Sequence, residues 1–101
     1  MEEERIKLTI FLKHDHTMTL PQIDEKLKTS NFFKVFPPEG VEVVSWYVMM
    51  GIGQVVTLSL PPSKVRAVNL AIETAAWGAF DTEFYLTYDF MEVWKKKKEA
   101  S

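Results

Sequence analysis

The chain has 101 residues, 47% of them hydrophobic and 26% charged, which predicts a single soluble domain over residues 1–101, with a core in 5–94 and a short basic tail in 95–101. The lack of cysteine excludes disulfides, zinc–thiolate sites and cysteine nucleophiles, and a net charge of −2 gives nucleic acid no general attraction. The acidic start MEEERIKLTIF is unlike a signal peptide and no apolar run reaches the ~18 residues of a membrane span, so we expect a cytoplasmic protein without nucleic-acid or membrane partners.

The first predicted element is a strand over residues 5–14, RIKLTIFLKH, in which Ile6, Leu8, Ile10 and Leu12 face one way and Lys7, Thr9, Phe11 and Lys13 the other. A helix should follow, with Thr19 as its N-cap and Gln22 at the capping-box position. The prolines of FPPEG (36–40) predict a turn after this helix.

Two further strands are predicted over residues 41–50 and 54–60, both rich in β-branched and aromatic side chains. Gly51 and Gly53 lie between them, where the positive φ angles of a short hairpin favour glycine. In the first of these strands, the alternation predicts that Val43 and Tyr47 share a face of the sheet.

A second helix should begin near Ser63, present the apolar side chains of Val65, Val68 and Ile72, and end at Gly78 as its C′ residue. The alternation of TEFYLTYDF predicts a fourth strand over 82–90, with Phe84, Leu86, Tyr88 and Phe90 on one face. The run KKKK (95–98) is typical of a solvated tail.

The resulting order, β-α-β-β-α-β, predicts an α+β ferredoxin-like sandwich in which both helices cover one face of a four-stranded antiparallel sheet. The expected strand order is 4-1-3-2. The other face should carry apolar side chains such as Phe11, Val55 and Tyr85, and an exposed apolar sheet face favours a homodimer with sheet packed on sheet.

The segment GVEVVSWYVMMGIGQVVTLSLP resembles the central hairpin of the dimeric α+β barrel superfamily, and the likeness in topology and hydrophobic pattern spans residues 5–94. This superfamily includes muconolactone isomerases, cofactor-independent monooxygenases of the antibiotic-biosynthesis type and many proteins of unknown function. The resemblance implies the fold and the homodimer, and it transfers no catalytic residue.

The chain contains two histidines, His14 and His16, in the sequence KHDH at the end of the first strand. The expected topology brings this end beside residues 49–54 and 81–83. A histidine next to a carboxylate suits general acid–base catalysis, with His14 as acid or base and Glu83 as its orienting partner. The alternatives are a structural histidine and a His-x-His metal site, and because there is no third histidine we predict no metal.

A set of aromatic and polar side chains could instead line a small-molecule pocket. The alternative is that the same side chains only form the core and the dimer interface. The members of this set are Trp46, Tyr47, Met49, Gln54, Trp77, Tyr85 and Tyr88. The leading hypothesis is a homodimer that binds a small apolar or aromatic molecule between sheet and helices, without a cofactor. The alternatives are a cofactor-independent isomerase or monooxygenase using His14, and an assembly module with no ligand.

Overall fold

The computed structural model describes residues 4–76 and 78–101. It is a mixed α+β fold with one four-stranded antiparallel sheet, formed by β1 (Ile6–His14), β2 (Glu42–Met49), β3 (Gly53–Leu60) and β4 (Phe80–Thr87). The order β2-β3-β1-β4 is the predicted 4-1-3-2 arrangement, and it places β1 at the centre between β3 and β4. The sheet is compatible with a ferredoxin-like fold.

The side chains of β1 alternate between two faces of the sheet, and the two faces differ in how deeply their side chains are buried. Leu8, Ile10 and Leu12 are buried on what we term the helix face, and they pair across the sheet with Leu58, Val56 and Gln54 of β3. The intervening side chains lie on the open face, and none of those in β1 is buried. The period-two prediction for β1 is therefore confirmed.

The helix face is covered by α1 (Leu20–Thr29), the short α2 (Phe32–Val35) and α3 (Val65–Ala75), which follows a 3₁₀ turn at Pro62–Lys64. Their buried side chains form one cluster with β1 and β3, and its largest fully buried member is Phe32. Burial of this apolar surface is the main source of stability in a domain of this size.

The start of α1 confirms the predicted cap. The Thr19 side chain accepts the Gln22 N–H at 3.3 Å, and the Thr19 N–H donates to Gln22 Oε1 at 2.8 Å. This reciprocal pair satisfies two N–H groups that a helix terminus would otherwise leave without partners. The helix then buries Ile23 and Leu27, whereas Leu20 remains exposed.

The predicted hairpin is also confirmed, with positive φ angles at Gly51 (+78°) and Gly53 (+152°). Gly53 pairs with Lys13, and a Cβ added to it would collide with the main-chain carbonyl oxygen of Leu12. The close approach of β1 and β3 at this point therefore requires glycine.

A β-bulge changes the predicted faces of β2. The register shifts between Val43 and Ser45, so that Val43 pairs with Leu58 and Trp46 with Val56, both on the helix face. Tyr47 lies on the open face, opposite Val55. The prediction that Val43 and Tyr47 share a face is wrong, because the extra residue in the bulge reverses the alternation.

The C-terminal part of the chain differs from prediction. β4 begins at Phe80 and ends at Thr87, so Tyr88 and Phe90 lie beyond the sheet instead of on its face. The helix α3 ends at Ala75 with Ala76 as its C-cap, so Gly78, which has a φ of +82°, lies one residue beyond the C′ position predicted for it. Most of the predicted tail, residues 95–101, belongs to a fourth helix, α4 (Met91–Ala100), whose residues are all exposed. Within the described ranges, no helix has both the length and the apolar character needed to cross a membrane.

Candidate functional site

The end of β1 meets two other parts of the chain, as the topology predicts. The His14 N–H donates to the carbonyl of Ile52 in the hairpin at 2.8 Å, and the Asp15 N–H donates to the carbonyl of Ala79 at 3.4 Å. These main-chain bonds fix the end of the strand where the hairpin, the turn after α3 and the start of β4 converge.

The side chains of the KHDH segment point to different surroundings. Lys13 lies on the open face, whereas His14 continues the helix face of Leu12 and is half-buried. Asp15 closes a turn, because its Oδ1 accepts from the Thr17 N–H at 2.9 Å and from the Thr17 hydroxyl at 2.6 Å. These bonds hold the pKa of Asp15 below its usual range. His16 is exposed, and it lines one small cleft with His14 and Asp15, whereas Lys13 lies on the opposite face of the sheet.

Glu83 belongs to a polar network on the open face. Lys13 Nζ donates to Glu83 Oε1 at 2.5 Å, and the Tyr85 hydroxyl donates to Glu83 Oε2 at 2.7 Å. The hydrogen bond from Lys13, and then that from Tyr85, lower the pKa of Glu83. The hydrogen bond and charge of Glu83 in turn raise the pKa values of Lys13 and Tyr85.

The structure does not bring His14 and Glu83 together. His14 pairs with Phe80 in the register of β1 and β4, whereas Glu83 pairs with Phe11, so the two side chains leave the sheet on opposite faces. The expectation that Glu83 orients His14 is therefore wrong in its geometry. The ring that contacts His14 is that of Phe80, stacked at a centroid distance of 6.0 Å and an angle of 22°.

His14 lies instead in a groove between α1, α2 and the sheet, which we call the His14 groove. It has a volume of about 460 Å³. Its apolar walls are Leu20, Pro21, Ile23, Leu27, Phe33 and Phe80. Its polar lining side chains are His14, Asp24 and Gln54. A second cleft of about 280 Å³ shares His14, Leu20 and Ile23 with it and continues toward His16.

Gln54 is held in the wall of this groove by a neighbouring tryptophan. Trp46 donates its indole Nε1–H to Gln54 Oε1 at 2.7 Å. The Trp46 ring is itself packed edge-on against Phe36, with centroids 5.7 Å apart and an angle of 89°. The position of the Gln54 amide is thus fixed by the half-buried Trp46, whose ring packs against the buried Phe36.

The side chains predicted to line one pocket divide between the two faces of the sheet. Trp46 and Gln54 lie on the helix face with His14, whereas Tyr47, Met49 and Tyr85 occupy open-face positions. Tyr88 lies beyond the end of β4. The prediction for Trp77 falls outside the described residues.

Two contributors to these sites were missed in the sequence. Phe33 forms a groove wall from α2, a four-residue helix that is too short to give a periodic pattern in the sequence. Lys13 was overlooked as the partner of Glu83, although the alternation contains that signal. Lys13 is out of phase with Leu12, and Glu83 is out of phase with Phe84, so both belong to the open face.

Across residues 4–76 and 78–101, no three potential metal-ligating side chains lie together. We also compared the chain with protein families, with curated proteins and with solved structures, and none of them matches it.

Proposed function

We propose that the protein binds a small apolar or aromatic molecule in the His14 groove. One observation supports this proposal: three polar side chains, His14, Asp24 and Gln54, lie in a groove whose other walls are apolar. Small-molecule sites commonly combine an apolar lining with a few polar groups that fix the orientation of the ligand. The volume of about 460 Å³ lies within the roughly 300–1,000 Å³ of such sites.

The proposal is tested with two naphthalene probes, 2-acetylnaphthalene and 2-ethylnaphthalene, which are similar in shape and differ in one C=O group. In ¹H–¹⁵N correlation spectra, we expect shifts to concentrate at the amides of His14, Ile23 and Phe33. Shifts confined to the open face, or no shifts with either probe, would contradict groove binding.

A groove-filling variant makes the test specific. Leu20 lines the groove and is 65% exposed, so Leu20→Trp should reduce the volume without disturbing the core. The matched control is Leu70→Trp on α3, where the side chain is 46% exposed and lies outside the groove lining. Probe binding should weaken in the first variant and persist in the second.

We also propose that two copies assemble through the open face, as members of the dimeric α+β barrel superfamily do. An aromatic and aliphatic patch on this face, which we call the open-face patch, supports assembly. Its members are Phe11, Tyr47, Val55 and Tyr85. Phe11 and Tyr85 pack edge-to-face with centroids 5.7 Å apart, and Tyr47 is 67% exposed. Burying such side chains against a second copy would remove apolar surface from water.

Light scattering at micromolar concentration tests this assembly. Tyr47→Glu places a charge in the open-face patch, whereas its neighbour Val48→Glu places one on the other face of the same strand, where Val48 is 71% exposed. We expect the first variant to be monomeric and the second to remain dimeric. A wild-type chain that is monomeric would exclude the barrel dimer.

The second candidate function is a cofactor-independent isomerase or monooxygenase that uses His14 as acid or base. The observation that favours it is that His14 lines both clefts, where a bound molecule would meet its ring. Glu83 cannot orient this ring from the opposite face, so the histidine would act without that carboxylate. Loss of turnover in His14→Gln, with probe binding retained, would support this candidate.

A further inference from the structure

We infer that Gln54 makes the His14 groove selective for uncharged ligands that carry a hydrogen-bond acceptor oxygen, and that Trp46 is the residue that imposes this selectivity. The inference rests on the proposed function, because it concerns which molecules the same groove accepts. It goes further in naming the polar group that a ligand must present.

The argument starts from the chemistry of the Trp46–Gln54 bond. An indole N–H donates and cannot accept, so its partner on the glutamine must be the amide oxygen. The 2.7 Å distance from Trp46 Nε1 to Gln54 Oε1 satisfies this requirement. A flipped amide would place N–H against N–H, and Trp46 therefore fixes which end of the amide is engaged behind the groove wall.

The remaining polar atom of Gln54 is its amide nitrogen, which carries two N–H donors. Because Gln54 lines the groove and Trp46 engages one of the two lone pairs of its oxygen, the main groups left for a ligand are the two N–H donors of the amide. A ligand that presents an acceptor oxygen can satisfy this donor. A pure hydrocarbon cannot, and it would leave the amide nitrogen desolvated and without a partner.

Charge narrows the class of ligand further. Asp24 contributes a carboxylate to the lining, while the lysines and arginines of the described ranges lie outside it. A ligand carboxylate in the groove would meet this like charge, and Lys28 and Lys34 line a neighbouring cleft that shares Asp24 instead of the groove itself. An uncharged carbonyl oxygen on an apolar or aromatic body fits both the donor of Gln54 and the acidic rim.

The two naphthalene probes measure this selectivity directly, since a carbonyl in one replaces a methylene in the other. For the wild-type protein, fluorescence titration should show the ketone binding about 2- to 10-fold more tightly than the hydrocarbon, the range expected for one neutral hydrogen bond. The ratio of the two affinities is the readout, because a general loss of packing would weaken both probes together.

Gln54→Glu is the decisive variant. Its carboxylate can still accept from Trp46, but it presents an acceptor to the groove in place of the amide donors. The ketone-to-hydrocarbon ratio should fall below one. Trp46→Phe is a second variant, which keeps an aromatic ring but removes the N–H. The Gln54 amide can then turn, and the ketone-to-hydrocarbon ratio should fall toward one. This variant keeps the inference testable if Gln54→Glu does not fold.

The outcomes separate the two proposals. A wild-type preference for the ketone that both variants lower supports the selectivity role. Equal binding of the two probes in the groove, or a preference that neither variant alters, overturns the role of Gln54 and leaves the proposed function standing. If neither probe binds the groove, the proposed function fails and the selectivity role fails with it.

Discussion

Lys13 and Glu83 form an ion pair across the central strand β1 and the edge strand β4, with Nζ and Oε1 2.5 Å apart. The pair lies on the open face, while His14, the next residue along β1, lies on the helix face. The two candidate regions therefore share one strand end and are separated by the thickness of the sheet. Changes to one can be tested without directly altering the other.

The first prediction concerns the coupling between these two side chains. Their side chains remain about two-fifths exposed, at 42% and 41%, so the pair should contribute only weakly to stability. Lys13→Met and Glu83→Gln should each lower the Tm slightly, and the double variant should lose less than the sum of the two. Thermal unfolding of the four proteins in a double-mutant cycle measures this coupling. Purely additive effects would show that the pair contributes nothing.

The second prediction is the pH dependence of that coupling. The pKa of Glu83 is lowered from its usual 4.5, so its contribution to stability is present above pH 4.5 and is lost as pH falls through the lower folded-state value. The pKa of Lys13 is raised above 10.5, so its contribution is complete below that value and is lost as pH rises beyond it. The coupling should therefore be present at pH 7 and disappear in strong acid. The double-mutant cycle, measured by thermal unfolding at pH 7 and again in strong acid, checks this. Coupling that persists after the carboxylate is protonated would contradict the ion-pair origin.

The third prediction compares two glycines of one hairpin. Gly53→Ala places a Cβ against the carbonyl oxygen of Leu12, whereas a Cβ at Gly51 meets open space. Both positions have positive φ, so both substitutions should cost about 1–2 kcal/mol from the backbone alone. Gly53→Ala should cost more, because β1 and β3 must also separate. Urea unfolding measures the difference, and equal losses at the two positions would argue against the close approach.

Alternation and cap signals made much of this fold predictable. Apolar side chains in β1 repeat with a period of two because one face of the strand is buried, and Thr19 with Gln22 marks a helix start through bonds that are local in the chain. The strand order follows from the sequence of elements and the handedness of crossovers. Such signals depend on neighbours in the chain or on one repeating environment.

The missed features depend on contacts between distant segments. The bulge between Val43 and Ser45 is defined by pairing with β3, and no local residue pattern predicts it. The end of β4 at Thr87 likewise reflects where pairing with Lys7 stops, although the alternation continues through Tyr88 and Phe90. The groove depends on the position of α2 and on the bond between Trp46 and Gln54, which are both tertiary features. The sequence therefore suggested some of its residues but did not distinguish them from residues of the open face.

The fourth prediction contrasts two adjacent phenylalanines of α2. Phe32 is fully buried in the aromatic part of the core, and its ring stacks on Phe36 with centroids 5.2 Å apart. Phe32→Ala should cost about 3–5 kcal/mol, the usual loss for a buried phenylalanine. Phe33 is 59% exposed and lines the groove, so Phe33→Ala should affect stability much less and weaken probe binding. Urea unfolding and probe titration of both variants check this contrast, and a reversed order of stability would contradict the placement of α2.

The fifth prediction concerns α4. Every residue of this helix is exposed, and the hydrophobic core cluster contains none of its side chains among the described residues. Its largest apolar side chain, Trp94, has the Lys98 ammonium 5.2 Å from its ring centroid, an exposed contact that adds little. Removal of residues 91–101 should therefore leave the Tm of the sheet and helices α1–α3 nearly unchanged, as measured by circular dichroism. A Tm that falls by many degrees and depends on protein concentration would instead show that α4 packs on a second copy.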